Sequence, residues 1–155
     1  MFSLEALNLQ FVGARPGPWP SLVKALVEDG QVKAEAAEAT EKRWAFGRLI
    51  GNTDMHNGNL SFIGSNGRPY SLSPAYDILP MYFAPKSSGE MMNTLPPITI
   101  SNDACPNSWR DALANARLFI VRAMRDERFS SNFRPCLEAL VRNIDQAAVQ
   151  IDELP

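Results

Sequence analysis

Three side chains near the middle of the chain have the types and spacing that phosphoryl transfer requires. Asp54 and Asn59 stand five positions apart in the polar stretch Gly51-Asn52-Thr53-Asp54-Met55-His56-Asn57-Gly58-Asn59. Asp77 follows 23 positions after Asp54, within Ser73-Pro74-Ala75-Tyr76-Asp77-Ile78-Leu79-Pro80. In such chemistry one carboxylate orients or deprotonates the attacking hydroxyl, while an amide oxygen and a second carboxylate hold magnesium against a triphosphate. Hard oxygen donors suit Mg²⁺, which keeps its remaining positions for water and phosphate. A lone polar loop would explain Asp54 and Asn59 equally well, with Asp54 capping a turn. The second aspartate makes that plain reading the weaker one.

Other chemistry fits less well. His56 is the single histidine and has no paired Cys or His, so a zinc site is not expected; a hydrogen bond within its own loop is. The run Asn52-x-Asp54-x-His56 opens like a calcium loop, but Asn57 and Ile63 occupy the places where that loop needs Gly and Glu. Gly51 and Gly58 are read as serving backbone geometry, not phosphate binding.

These residues must be positioned by the elements around them. Residues 34–50 are strong helix formers with an apolar stripe of Ala45, Phe46, Leu49 and Ile50, and Gly51 stands where a left-handed residue ends a helix. Leu60-Ser61-Phe62-Ile63 and Pro69-Tyr70-Ser71-Leu72, separated by Gly64-Ser65-Asn66-Gly67, read as a β-hairpin. That hairpin would turn the chain back so that Asn59 and Asp77, at its two ends, meet at one metal. Upstream, Leu4, Leu7 and Phe11 suit a short helix, and Ser21 is placed to cap another carrying Leu22, Val23, Leu26 and Val27, stopped by Gly30. Residues 84–106 are loop-like, with an apolar run at Ile98-Thr99-Ile100. Two long helices close the chain. Trp109, Leu113, Ala116, Ile120 and Ala123 form the seam of one; Phe133, Leu137, Leu140, Ile144, Ala147 and Ile151 form that of the other. Trp19, Trp44, Trp109 and Phe119 are expected in the core, and Tyr76 and Tyr82 beneath the site.

The expected fold is therefore mainly α (α+β), one domain over residues 1–155, a helical bundle with one small β-hairpin. A chain of 155 residues with 45% hydrophobic and 21% charged side chains can bury a substantial core. Its net charge of −2 does not favour direct nucleic-acid binding. The basic residues between Arg110 and Arg142 alternate with acidic ones and read as a solvated helix face. Cys105 and Cys136 form no metal spacing and are expected as free thiols. No bilayer-spanning apolar run and no signal peptide is visible, so a cytoplasmic location with no membrane partner is expected.

Ile50-Gly51-Asn52-Thr53-Asp54 with His56 and Asn59, then Leu60-Ser61-Phe62, then Pro74-Ala75-Tyr76-Asp77-Ile78-Leu79-Pro80, resembles the catalytic core of HipA-type serine/threonine kinases. The resemblance runs from about Ser21 onward. It implies the C-terminal lobe of a protein-kinase-like fold, with Asp54 as catalytic base, His56 in the catalytic loop, and Asn59 and Asp77 as the ligands of Mg²⁺ and contacts of ATP. Met55 departs from the arginine often found there. No glycine-rich phosphate loop and no strand-borne lysine is evident, so an N-terminal ATP-clamping lobe or a partner chain is expected to complete the enzyme. The family also implies a toxin–antitoxin setting, with a DNA-binding antitoxin as partner and an aminoacyl-tRNA synthetase as the kind of protein substrate. Two alternatives stand beside this reading: a non-catalytic, partner-binding relic lobe, and a small-molecule or lipid kinase of the same superfamily.

Overall fold

The computed structural model describes residues 1–64 and 66–155; Ser65, within the expected hairpin turn, lies outside them. The order of elements is β1 (Phe2–Ser3), α1 (Leu4–Leu7), α2 (Trp19–Glu28), α3 (Glu35–Leu49), β2 (Ser61–Ile63), β3 (Ser71–Leu72), α4 (Pro106–Arg125) and α5 (Arg134–Asp152). A wider π-type turn over Asn8–Val12 continues α1, and single 3-10 turns occur at Asn57–Asn59, Met81–Phe83 and Ser131–Phe133. The fold is mainly helical with a small antiparallel sheet, as the composition and periodicity implied.

Two apolar clusters carry the chain, and α3 lies between them. One gathers Ala45 and Leu49 of α3 and the adjoining Ile50 with Trp109, Ala116 and Ile120 of α4 and Leu140, Ile144 and Ile151 of α5. The other gathers Leu4, Trp19, Leu22, Leu26, Leu60 and Phe62. Each fully buried large side chain contributes about 1.5–3 kcal/mol relative to exposure. Because α3 is buried against both clusters, Ala36, Thr40 and Gly47 are covered as well as Ala45, Leu49 and Ile50 of the expected stripe, while Phe46 is half-buried. Trp109 and the seams of the last two helices lie inside as predicted except at Phe133, which precedes α5 and is half-buried like Trp44 and Phe119.

Electrostatic joints fasten α3 to α4. The Glu41 carboxylate of α3 accepts from the backbone N–H of Cys105 at 3.0 Å and from the Ser108 hydroxyl at 3.0 Å, satisfying a donor at the start of α4. Lys42 bridges Glu38 at 2.7 Å and Asp111 at 2.8 Å. Both bonds favour its charged form and raise its pKa. The long segment 84–105 has no regular element, and Ile98-Thr99-Ile100 forms no strand. It is pinned by Trp109 Nε1 donating to Ser101 O at 3.0 Å and Asn143 Nδ2 donating to Pro96 O at 2.7 Å.

The sheet differs from the expected hairpin in two respects. The hairpin is present, with Phe62 opposite Leu72 and Ile63 opposite Ser71, but β1 adds a third strand with Phe2 opposite Phe62. Pro69-Tyr70 does not join β3. Tyr70 instead bonds the α2–α3 connection, donating to Gln31 O at 2.8 Å and accepting from Lys33 N at 2.9 Å. The start of α2 also differs. Ser21 is not its cap; the helix begins at Trp19 with Pro20 in the first turn, and the Ser21 hydroxyl donates back to Pro18 O. Proline needs no N–H partner there and its fixed φ suits the first turn.

Candidate active site

The loop that carries Asp54 begins where α3 is stopped. Gly51 has φ +73°, its N–H donates to Arg48 O at 3.3 Å, and Asn52 N–H donates to Gly47 O at 2.8 Å. These paired bonds close the helix end and reverse the chain. The loop thus leaves one cluster at Ile50 and enters the other at Leu60, both buried. Its two ends are clamped by separate cores.

Inside the loop, polar side chains substitute for regular structure. Asn52 is buried, and its Oδ1 accepts from the Asp54 N–H at 2.8 Å, a side-chain turn that sets the Asp54 backbone. Asn59 Nδ2 donates to the Asp54 carbonyl at 2.9 Å and lies 3.4 Å from its carboxylate Oδ2. His56 Nδ1 accepts from the Gly58 N–H at 3.0 Å, so a neutral ring carries its proton on Nε2, which stands 3.8 Å from Asp54 Oδ1. The His56 carbonyl accepts both from Asn59 N–H and from the Trp19 indole. Asp54 and His56 nonetheless keep about half of each side chain exposed, 48% and 60%, open to a substrate. A Cβ at Gly58 would stand 2.7 Å from the His56 ring, so the close turn needs glycine there.

The structure brings Asp54, His56 and Asn59 into one network and places Asp77 beside it, not within it. Asp77 makes no hydrogen bond to the other three among the described residues, and no trio of His, Cys, Asp or Glu is gathered for a metal there. The link runs through its neighbour. Tyr76 Oη donates to Gly58 O at 3.0 Å and stands 2.6 Å from Ser61 Oγ. Tyr76 is 38% exposed, so it does not pack beneath the site as expected. Upstream, Arg43 Nη1 donates to Ser73 O at 2.7 Å, and burial lowers the pKa of that guanidinium. Asp77 itself has φ +52°, the one non-glycine positive φ among the described residues. Such a conformation costs on the order of 1–3 kcal/mol and persists where surrounding bonds hold it.

Two grooves border these carboxylates. Asp54 lines one of 480 Å³ with Trp44, Arg48, Thr53, Met55 and His56. Asp77 lines another of 610 Å³ with Arg43, Phe46, Ile78, Phe119 and Arg122. Oxygens available to a hard cation include the Asn59 Oδ1, which accepts no hydrogen bond among the described residues, the exposed Asp77 carboxylate and the half-exposed Asp54 carboxylate. By type, an amide oxygen and a carboxylate are hard donors of the kind that Mg²⁺ accepts alongside water and phosphate.

Trp19 and Gly47 were not recognised as parts of the site from sequence, and Tyr76 was expected only to pack beneath it. Met55, half-buried, packs over Gly47 of α3, where a Cβ would come within 2.7 Å of its Sδ and Cε. A glycine inside an otherwise strong helix is the signal that could have revealed this close approach.

Residues 17–148 match the family of the HipA-like C-terminal domain, and the chain belongs to that family. It is 38% identical over 144 residues to Toxin YjjJ of Escherichia coli (strain K12). That alignment covers 93% of this chain and 32% of the relative, so the chain spans about a third of its length. No solved structure matches the chain. No described helix is long and apolar enough to cross a membrane.

Proposed function

We propose that this chain is the catalytic C-terminal lobe of a HipA-like, ATP-dependent serine/threonine protein kinase of a toxin–antitoxin system, active when a nucleotide-clamping lobe completes it. The observation that carries the reading is the Asn59 amide. Its nitrogen is committed to Asp54, which leaves its oxygen for a cation beside the proposed base. Family membership and the similarity to a protein named as a toxin support the setting. The DNA-binding antitoxin and an aminoacyl-tRNA synthetase substrate belong to the same proposal.

In this reading Asp54 accepts the proton of the attacking serine or threonine hydroxyl through its exposed carboxylate. His56 stabilises the turn through Gly58. Asn59 Oδ1 and the Asp77 carboxylate would hold Mg²⁺, which would supply charge neutralisation at the ATP phosphates. With only two ligands from this chain, Mg²⁺–ATP would be held weakly, with an expected affinity of millimolar scale, roughly −4 kcal/mol. The isolated chain should lack measurable turnover, because positioning supplies most of the rate in phosphoryl transfer.

The test is a radiolabel transfer assay on the chain alone and on the chain completed by an N-terminal kinase lobe. Transfer to a protein hydroxyl only in the completed form supports the proposal. Robust transfer by the isolated chain would overturn the two-lobe reading. Transfer to a small molecule or lipid would move the protein to the other branch of the superfamily. A completed chain that binds a partner but never transfers phosphate would identify a relic lobe.

A further inference from the structure

The phenol of Tyr76 has one proton, and its geometry assigns that proton a destination. Tyr76 Oη donates to the Gly58 carbonyl at 3.0 Å, so the 2.6 Å contact with Ser61 must run from Ser61 Oγ–H to Tyr76 Oη. Ser61 is buried in β2, and its carbonyl also accepts from Ser73 N–H at 2.9 Å. A hydroxyl relay therefore joins the central strand, the segment that carries Asp77 and the loop that carries Asn59. The covalent neighbours matter most. Gly58 immediately precedes Asn59, and Tyr76 immediately precedes Asp77.

Burial does not explain this tyrosine, since its side chain is exposed where a core aromatic would not be. Tyr82, six residues on, gives the contrast. It packs against the larger apolar cluster, and its hydroxyl has no hydrogen bond among the described residues. Asp77, meanwhile, occupies a left-handed conformation that needs outside support.

We infer that Tyr76 is a positioning residue whose hydroxyl sets the spacing between Asn59 and Asp77. This rests on the reading of those two residues as the magnesium ligands. Without the hydroxyl bond, the two ligands belong to segments joined through the hairpin and, farther from both side chains, through the Tyr82 N–H donating to Gly51 O at 2.9 Å. The pair would then be less organised for one cation, although each side chain would remain.

The test uses the isotope-labelled 155-residue chain with Mn²⁺ as a paramagnetic substitute for magnesium, comparing wild type, Tyr76→Phe and the control Tyr82→Phe. In wild type, Mn²⁺ should broaden the amides of residues 57–59 and 76–78 over one concentration range. Loss of one net hydrogen bond in Tyr76→Phe should raise the Mn²⁺ needed by at least about threefold and separate the two segments. Amide exchange at Gly58 and Asn59, measured without metal, should quicken by a similar factor, while Tyr82→Phe matches wild type in both readouts. Broadening and exchange in Tyr76→Phe equal to wild type would overturn the positioning role and leave the metal site standing. No broadening of either segment in wild type would overturn the metal reading itself, and the positioning role with it.

Discussion

The indole Nε1 of Trp19 donates to the backbone carbonyl of His56 at 3.1 Å, tying the first turn of α2 to the loop that carries Asp54. The Trp19 side chain is fully buried and packs edge-on to Trp44 with ring centroids 5.8 Å apart. One residue thus serves the smaller core and the loop together. The same His56 carbonyl accepts from Asn59 N–H, so the bond supports the turn that presents the candidate ligand.

Trp19→Phe should keep most of the burial and lose the donor, destabilising the chain by about 1–3 kcal/mol through the lost bond and vacated volume. Trp19→Ala should cost about 3–5 kcal/mol. Urea unfolding gives the magnitude, and amide exchange gives the location. Faster exchange confined to residues 56–59 in Trp19→Phe is expected. Unchanged exchange there would mean that the indole bond does not hold the loop.

In the completed enzyme, Asp54→Asn should abolish transfer while nucleotide still binds, because an amide keeps the shape but cannot accept the hydroxyl proton. Asp77→Ala should lose transfer and Mg²⁺-dependent nucleotide binding together. Removal of a charge aligned in the transition state costs about 3 kcal/mol or more, at least roughly 10² in rate. His56→Ala should fall between wild type and these variants, since its contact is with the Gly58 N–H. The measurement is phosphate transfer paired with nucleotide titration, with circular dichroism to establish folding. Near-normal transfer by Asp54→Asn would remove Asp54 from the chemistry.

Gly47→Ala places a methyl 2.7 Å from the Met55 thioether. Alanine improves helix propensity by up to about 1 kcal/mol, yet overpacking costs about 1–3 kcal/mol, so net destabilisation is expected. In Gly47→Ala/Met55→Ala the clash disappears. A double-mutant cycle by urea unfolding should give a coupling of about 1 kcal/mol or more. Additive effects would mean that Met55 moves away freely.

The thiols should separate kinetically. Cys136 is buried, its Sγ donates to Met92 O at 3.3 Å, and desolvation raises its pKa. Cys105 is exposed. Alkylation of the folded chain should give one adduct, at Cys105, and a second only in denaturant. Peptide mass mapping reads this directly. Early modification of Cys136 would show that segment 84–105 opens readily.

Asp126, just after α4, has its pKa lowered to about 2, first by the Arg128 side chain and then by the Arg128 backbone N–H. Arg128 Nη2 lies 2.6 Å from Asp126 Oδ2. A depressed carboxylate contributes its stabilisation above its ordinary pKa of 3.8 and loses it as pH falls toward about 2. Both groups lie at the surface, so the effect on stability is slight. In Arg128→Ala the Asp126 titration should move up while staying below 3.8, because the backbone bond remains. Carboxyl NMR against pH checks it. An unmoved titration would mean that the side-chain pair does not persist in solution.

Local signals accounted for much of the fold. The 4-and-3 stepping of Trp109 through Ala123 and of Leu137 through Ile151 marked sides that are buried in α4 and α5. Gly51 was legible as the end of α3 because only a residue tolerant of positive φ fits there. Asp54, His56 and Asn59 were legible because one short loop holds all three, and the hydrogen bonds between Asp54 and Asn59 span only five residues. β1 was not legible. Two residues are too few to show a period of two, and their partners lie about 60 positions away. The α2 start was misassigned for the opposite reason, since Ser21 is a good cap by type while proline chemistry one turn earlier decided the boundary.

By itself the sequence determined which groups could do chemistry, since residue type sets donor, acceptor and charge, and it determined the long helices, whose periodicity is local. Tertiary structure decided how those groups stand to one another. Trp19 reaches His56 across 37 positions, and Tyr76 reaches Gly58 across 18. Neither bond leaves a periodic trace in the chain, because a hydrogen bond between distant segments depends on where two cores place them. Asp77 shows the division most clearly. Its carboxylate could be recognised from residue type and motif, but its left-handed backbone and its place beside the loop exist only once Ser61, Tyr76 and Arg43 hold the segment.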